Sequence, residues 1–164
     1  MAATAAGALG FAPEGAREIV ITRTLEAPRD KVFAAWTQPA LLKKWLLGPP
    51  GWSFSVCEVD LRPGGKVRFA WRNALGFEMG LRSTYREIVA PERIVHTEKF
   101  DVAWYPGEAE ITTLFAEADG RTTVTLTIAY ESTQARDIAL NSGMKDGIAA
   151  SYDRLAALVE PPAR

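Results

Sequence analysis

Residues 109–130 read AEITTLFAEADGRTTVTLTIAY, and the fold turns on them. Asp119-Gly120 is a two-residue hairpin signal, because both central positions of a type I′ turn need positive φ. Residues 109–117 supply the strand before it. After it, in 121–130, Val124, Leu126, Ile128 and Tyr130 alternate with Thr123, Thr125 and Thr127. That period of two marks a strand buried on one face.

Working back from this hairpin, turn residues punctuate further strands. Arg62-Pro63-Gly64-Gly65, Asn73 to Gly76, Ala90-Pro91-Glu92 and Tyr105-Pro106-Gly107 separate strands at 53–61, 66–72, 77–89 and 93–100. Val67, Phe69 and Trp71 share one face of their strand. Phe77, Met79, Leu81 and Tyr85 share one face of the next. Upstream, REIVITRTLE at 17–26 is a β-branched strand. Pro28 and Pro39 open two short helices, PRDKVFAAW and PALLKKWL, at positions where a missing N–H costs nothing. In the first, Val32, Phe33 and Trp36 fall at helical spacing. Working forward, a helix is predicted over 134–159, capped by Ser132 or Thr133. Its stripe is Met144, Ile148, Tyr152, Leu155 and Val159, and Pro161-Pro162 ends it.

The predicted order is β-α-α-β-β-β-β-β-β-α, an α+β chain. Short connections make the strands an antiparallel meander of about seven strands. A strongly curved sheet of this kind wraps on the long carboxy-terminal helix. Straight helix and curved sheet mate imperfectly, which leaves room for large side chains or a cavity. Residues 17–160 are expected to be the single domain. The Ala/Gly-rich stretch 1–16 is expected to be a disordered leader, and 161–164 a tail.

Composition narrows the function classes. The chain has 164 residues, 19 basic against 20 acidic, for a net charge of −1. That balance gives no broad field for nucleic acid, and no basic cluster is interleaved with aromatics. No run approaches the ~18 apolar residues of a membrane span. Cys57 is the single cysteine and His96 the single histidine. One of each builds neither a disulfide nor a dedicated zinc site, so no metal and no cofactor is predicted. A lone thiol fits a reducing cytoplasm.

Specific words support a resemblance. They are Arg23-Thr-Leu-Glu-Ala-Pro28, Val32-Phe33-Ala-Ala-Trp36-Thr37, Lys44-Trp45 and Asp60-Leu-Arg62-Pro63-Gly64-Gly65. Tyr85-Arg-Glu-Ile88, Pro91-Glu-Arg93-Ile94-Val95 and Tyr152-Asp-Arg-Leu155 follow. In this order the chain resembles the SRPBCC superfamily, with its START-like, helix-grip (Bet v allergen-like) fold. Within it, the chain is similar to the carboxy-terminal domain of the activator of the ninety-kilodalton heat-shock chaperone's ATPase. The resemblance implies lipid or polyketide binders, cyclases, antibiotic-resistance proteins or co-chaperone domains. Gly147-Ile148 and Trp45-Leu46 stand where the family often has Gly-Trp and Trp-Trp.

The leading expectation is a protein that binds a small hydrophobic or aromatic molecule between helix and sheet. A chaperone-docking module and an enzyme are the alternatives. The expected lining is Phe69, Trp71, Phe77, Met79, Tyr85, Met144, Ile148 and Tyr152, with Tyr85 and Tyr152 supplying orienting hydroxyls. No catalytic residue is assigned. His96 and Glu98 share a strand face and are a candidate polar pair. Glu58 shares a phase with Phe54 and Val56, so an inward-facing acid is considered there. Cys57 reads as a small buried hydrophobe.

Overall fold

A computed structural model describes residues 7–162. The elements are β1 (Gly10–Glu14), β2 (Glu18–Leu25), α1 (Arg29–Thr37), α2 (Pro39–Trp45), β3 (Trp52–Val59), β4 (Lys66–Asn73), β5 (Glu78–Val89), β6 (Arg93–Phe100), β7 (Ala109–Ala118), β8 (Arg121–Ala129), α3 (Thr133–Leu140) and α4 (Met144–Val159). The strands form one antiparallel sheet of eight, in the order β1-β2-β8-β7-β6-β5-β4-β3. Helices lie against one face of it. The architecture is the expected α+β helix-grip arrangement.

The β7–β8 hairpin is built as read. Asp119 and Gly120 have φ of 55° and 75°, the paired positive values of a type I′ turn. Pairing from this hairpin defines a cross-strand row of Ile19, Ile128, Ile111, His96 and Tyr85. A second row is Ile21, Leu126, Thr113 and Ile94. A third is Cys57, Phe69, Leu81 and Phe100. Directly paired residues point to the same side of a sheet, so all three rows face the helices. The core closes between this face and α1, α2 and α4. Trp45 is buried there, and its indole N–H donates to the Ala35 carbonyl at 2.9 Å.

Three features differ from the sequence reading. First, the sheet begins inside the stretch expected to be a disordered leader, since Gly10–Glu14 is β1. Its small residues hide a strand signal, but Phe11 pairs with Ile21 and packs against the core. Arg136, itself buried, holds the turn by donating Nη1 to the carbonyls of Glu14, Gly15 and Glu18. The part of that stretch at 1–6 lies outside the described residues, as do 163–164 of the tail.

Second, the single helix expected over 134–159 is two helices, broken at Asn141 to Gly143. Asn141 Nδ2 donates to the Asp137 carbonyl, and Ser142 Oγ donates to the Ala139 carbonyl. These side chains satisfy the open carbonyls at the end of α3. Gly143 then turns the chain at φ 83°. The amino-terminal cap is as predicted: Ser132 Oγ accepts from the Ala135 N–H at 3.0 Å.

Third, β3 carries an irregularity between Phe54 and Val56. Phe54 pairs with Trp71, but Cys57, rather than Val56, pairs with Phe69. The extra residue inverts the alternation. Glu58 therefore pairs with Arg68 on the outer face and is exposed, and is no interior acid.

Candidate functional site

A side chain in the middle of a covered sheet face is ordinarily as inaccessible as its neighbours. Three residues on the helix-facing side depart from this. Leu126 is only half-buried, although its cross-strand partners Ile21 and Thr113 and its strand neighbours Val124 and Ile128 are all buried. His96 is half-buried between buried Ile111 and Tyr85. Glu98 is half-buried beside buried Ala109. None of them is on an edge strand. Glu98 forms the last pair of the β6–β7 ladder, beside the connection that carries Tyr105.

Burial dominates the electrostatics of the titratable groups here. Burial pushes Glu98 from the usual carboxylate range up to about 7, and a hydrogen bond from Tyr105 partly offsets the push. Burial likewise holds His96 below its ordinary value. An enclosed group disfavours its charged form, in opposite directions for an acid and a base. Tyr85 is pushed up to about 12, again by burial first. Tyr105 and Tyr130 are raised for the same reason, with the Glu98 charge adding to both.

The polar contacts are specific. Tyr105 Oη donates to Glu98 Oε1 at 3.1 Å. His96 Nδ1 lies 3.1 Å from the Thr97 carbonyl and 3.1 Å from Ser83 Oγ. A carbonyl can only accept, so Nδ1 carries the proton and Nε2 is left as an acceptor. His96 and Glu98 do share a face, but each bonds elsewhere and they do not form a pair. Tyr130 Oη donates to the Met144 sulfur at 3.9 Å.

Aromatic rings pack in three groups, the third of which touches Glu98 through Tyr105. Phe54, Phe69 and Trp71 pack with centroids 5.0 to 5.7 Å apart on β3 and β4. Trp36, Trp45 and Tyr152 pack under the helices, and Trp36 also meets Phe115. Phe100, Trp104, Tyr105 and Tyr130 form the third group, around the start of the β6–β7 connection.

The eight residues expected to line a pocket fall into different places. Phe69 and Trp71 are half-buried on the helix-facing side of β4. The Trp71 indole N–H donates to the Leu46 carbonyl at 2.8 Å. Tyr85 is buried at the centre of the same face. Met144 and Ile148 are half-buried on α4 and pack against the core. Tyr152 is buried in the tryptophan group, and its hydroxyl has no hydrogen-bond partner among the described residues.

Phe77 and Met79 are different: they are 65% and 44% exposed. Phe77 belongs to the β4–β5 turn, where its N–H and that of Leu75 donate to Asn73 Oδ1. The alternation that groups Phe77 with Leu81 continues a strand phase into a turn. Met79 keeps the phase, opposite Trp71, but stands at the rim.

Glu98 is absent from the expected lining. A signal for it exists: Ile94, His96, Glu98 and Phe100 occupy one phase of β6, and the two polar residues are bracketed by apolar Ile94 and Phe100. Tyr105 has no comparable signal, because it sits in a connection without periodicity. Cys57 is half-buried on the helix-facing side, with its thiol pushed up by burial. No group of three or more potential metal-binding side chains occurs among the described residues. No helix among them is long and apolar enough to cross a membrane.

Loop 46–51 connects this face to α4. The Gly48 N–H donates to Ser151 Oγ at 2.8 Å, and Arg154 Nη1 donates to the Gly48 carbonyl at 2.7 Å.

Comparison with known proteins agrees with the architecture. A solved structure from Rhodobacter sphaeroides is similar with a TM-score of 0.86 and 27% identity, over 92% of this chain and 96% of that one. One from Chromobacterium violaceum has 31% identity and a TM-score of 0.78, over 89% of this chain and 99% of that one. A third, from Aeromonas hydrophila and described as AHSA1-like, shares the fold at 23% identity and a TM-score of 0.66, over 90% of this chain and 99% of that one. No curated protein matches the chain. The family model for "Activator of Hsp90 ATPase homolog 1-like protein" matches residues 26–160. With most of the described elements inside that match, the chain belongs to the activator of Hsp90 ATPase homolog 1-like family.

Proposed function

We propose that the protein binds a small hydrophobic or aromatic molecule, lipid- or polyketide-like in its apolar character, between α4 and the sheet. The observation that carries this reading is the partial access of Leu126, His96 and Glu98 in the midst of buried neighbours. Apolar concavities with a few convergent polar groups are the usual form of a small-molecule site. Phe69, Trp71 and Ile148 supply apolar walls; Glu98, Tyr105 and His96 supply the polar groups. The site is placed in the cytoplasm, a setting that suits the single free thiol, Cys57.

The test fills the space. Ile148→Trp adds bulk on the α4 face without adding charge. Tryptophan-quenching titrations with a panel of flat aromatic and alkyl compounds are expected to show saturable binding to the unmodified protein. The variant is expected to lose about ten-fold or more in affinity, the scale of an overfilled apolar contact, while remaining folded by circular dichroism. Equal binding by the variant, or none by either protein, would overturn the reading.

The co-chaperone alternative draws on the description of the matched family. Stimulation of a heat-shock chaperone's ATPase by both proteins alike, with no small-molecule binding, would favour it. The cyclase or hydrolase alternative has Glu98 as its available acid, since a carboxyl near neutrality can give or take a proton.

A further inference from the structure

Glu98 has no counter-charge among the described residues. Oε1 accepts from Tyr105, and Oε2 has no hydrogen-bond partner among the described residues. The ion pairs among those residues engage other carboxylates, and none reaches Glu98. An enclosed carboxylate is costly unless a cation or several donors meet it. Here one tyrosine hydroxyl does so.

The walls beside it are aromatic. The Tyr105 ring stands edge-to-face with Tyr130 at 5.0 Å and with Trp104 at 4.7 Å, and Phe100 is 6.0 Å away. The faces of such rings carry negative potential and attract cations. A carboxylate and aromatic rings in one enclosed place favour the same kind of guest. They disfavour an anion, whose charge would meet a carboxylate that no ion pair among the described residues offsets.

We propose that Glu98, with the Tyr105, Tyr130 and Trp104 rings beside it, recognises a positively charged nitrogen on the apolar ligand. The ligand class is then a hydrophobic amine or quaternary ammonium rather than a fatty acid or a neutral chain. This rests on the ligand-binding reading above and narrows it. His96 does not compete for the role, because burial keeps its imidazole neutral and Nδ1 is engaged by Thr97.

The test uses the full chain and three probes with one alkyl tail: dodecyltrimethylammonium, dodecanol and dodecanoate, each below its aggregation concentration. Titration calorimetry at neutral pH is expected to rank the ammonium about ten-fold tighter than the alcohol, on the scale of a desolvated cation–aromatic and carboxylate contact. Dodecanoate is expected to bind most weakly. Glu98→Gln is expected to collapse the gap between ammonium and alcohol. Alcohol or dodecanoate binding as tightly as the ammonium overturns this inference and leaves the ligand-binding reading standing. Binding by none of the three overturns both. The ranking in the unmodified protein decides the matter, so a Glu98→Gln protein that fails to fold does not spoil the test.

Discussion

The hydroxyl of Tyr105 donates to Glu98 Oε1 across 3.1 Å, joining the β6–β7 connection to an acid on the neighbouring end of β6. It is the one protein hydrogen bond to that carboxyl among the described residues, so the acid's behaviour depends on it and on burial.

Burial raises Glu98 from 4.5 to about 7 in the folded protein. The folded state therefore keeps a proton that the unfolded chain releases. The stability this contributes is full below pH 4.5 and is lost as pH rises through about 7. Its size is roughly 3 kcal/mol, from the free-energy equivalent of the displacement. The other groups with shifted titration on this face are His96, Tyr85, Tyr105, Tyr130 and Cys57, whose thiol is raised and stays neutral across the window. The tyrosines are raised and stay neutral across the window. His96 is held below 6.5 and works in the opposite sense, costing stability as pH falls below that value. Glu98→Gln is expected to remove the alkaline loss: the variant gains on the unmodified protein between about pH 5 and pH 8 in denaturant titrations. Parallel curves for the two proteins would refute the assignment.

Tyr105→Phe removes the donor and leaves the ring. The hydrogen bond opposes burial at Glu98, so its loss is expected to raise the acid further. Carboxyl carbon shifts followed by NMR against pH measure this directly, and an unmoved or lower midpoint contradicts it.

Tyr152 carries a buried hydroxyl with no partner among the described residues. An unsatisfied buried polar group costs about 1–3 kcal/mol. Tyr152→Phe keeps the ring against Trp36 and Trp45 and is expected to be neutral or to stabilise by up to about 1 kcal/mol. Thermal unfolding checks it; a clear loss of stability would mean that the hydroxyl has a partner after all.

Gly65 and Gly80 are glycines for different reasons. A Cβ at Gly65 would land on the Asp60 carbonyl oxygen, which is backbone. A Cβ at Gly80 would meet the ends of Asp101 and Arg68, side chains that can swing away. Gly65→Ala is expected to cost about 2 kcal/mol or more, as forced backbone movement does. Gly80→Ala is expected to cost less than about 1 kcal/mol, the worth of a partly exposed ion pair. Equilibrium denaturation of the two variants compares them, and the reverse order would count against the argument.

The fold was legible where local chemistry and long-range packing ask for the same residue. Asp119-Gly120 serves its own turn, and the alternation after it serves the buried face. It was not legible where one extra residue changes the phase. The irregularity between Phe54 and Val56 has no composition of its own, yet it sends Glu58 outward and turns Cys57 toward the helices. β1 was hidden because Gly10 and Ala12 carry no strand preference, while its anchor, Arg136, lies more than a hundred residues away in sequence. Of the candidate site, the apolar walls at Phe69, Trp71 and Ile148 follow from periodicity. The polar floor does not, because Glu98 needs Tyr105, and the strand and the connection meet only in the folded chain.

Gly48 offers both of its backbone hydrogen-bonding groups to α4, through Ser151 and Arg154. Loop and helix are therefore hinged together as one leaf of a door. Among the described residues, the leaf has one side-chain latch between loop 46–51 and the sheet, the Trp71 indole on the Leu46 carbonyl. Helix α4 has further ties of its own, Asp153 to Arg23 on β2 and Met144 to the Tyr130 hydroxyl, so swinging the leaf away from the sheet releases these as well as the indole.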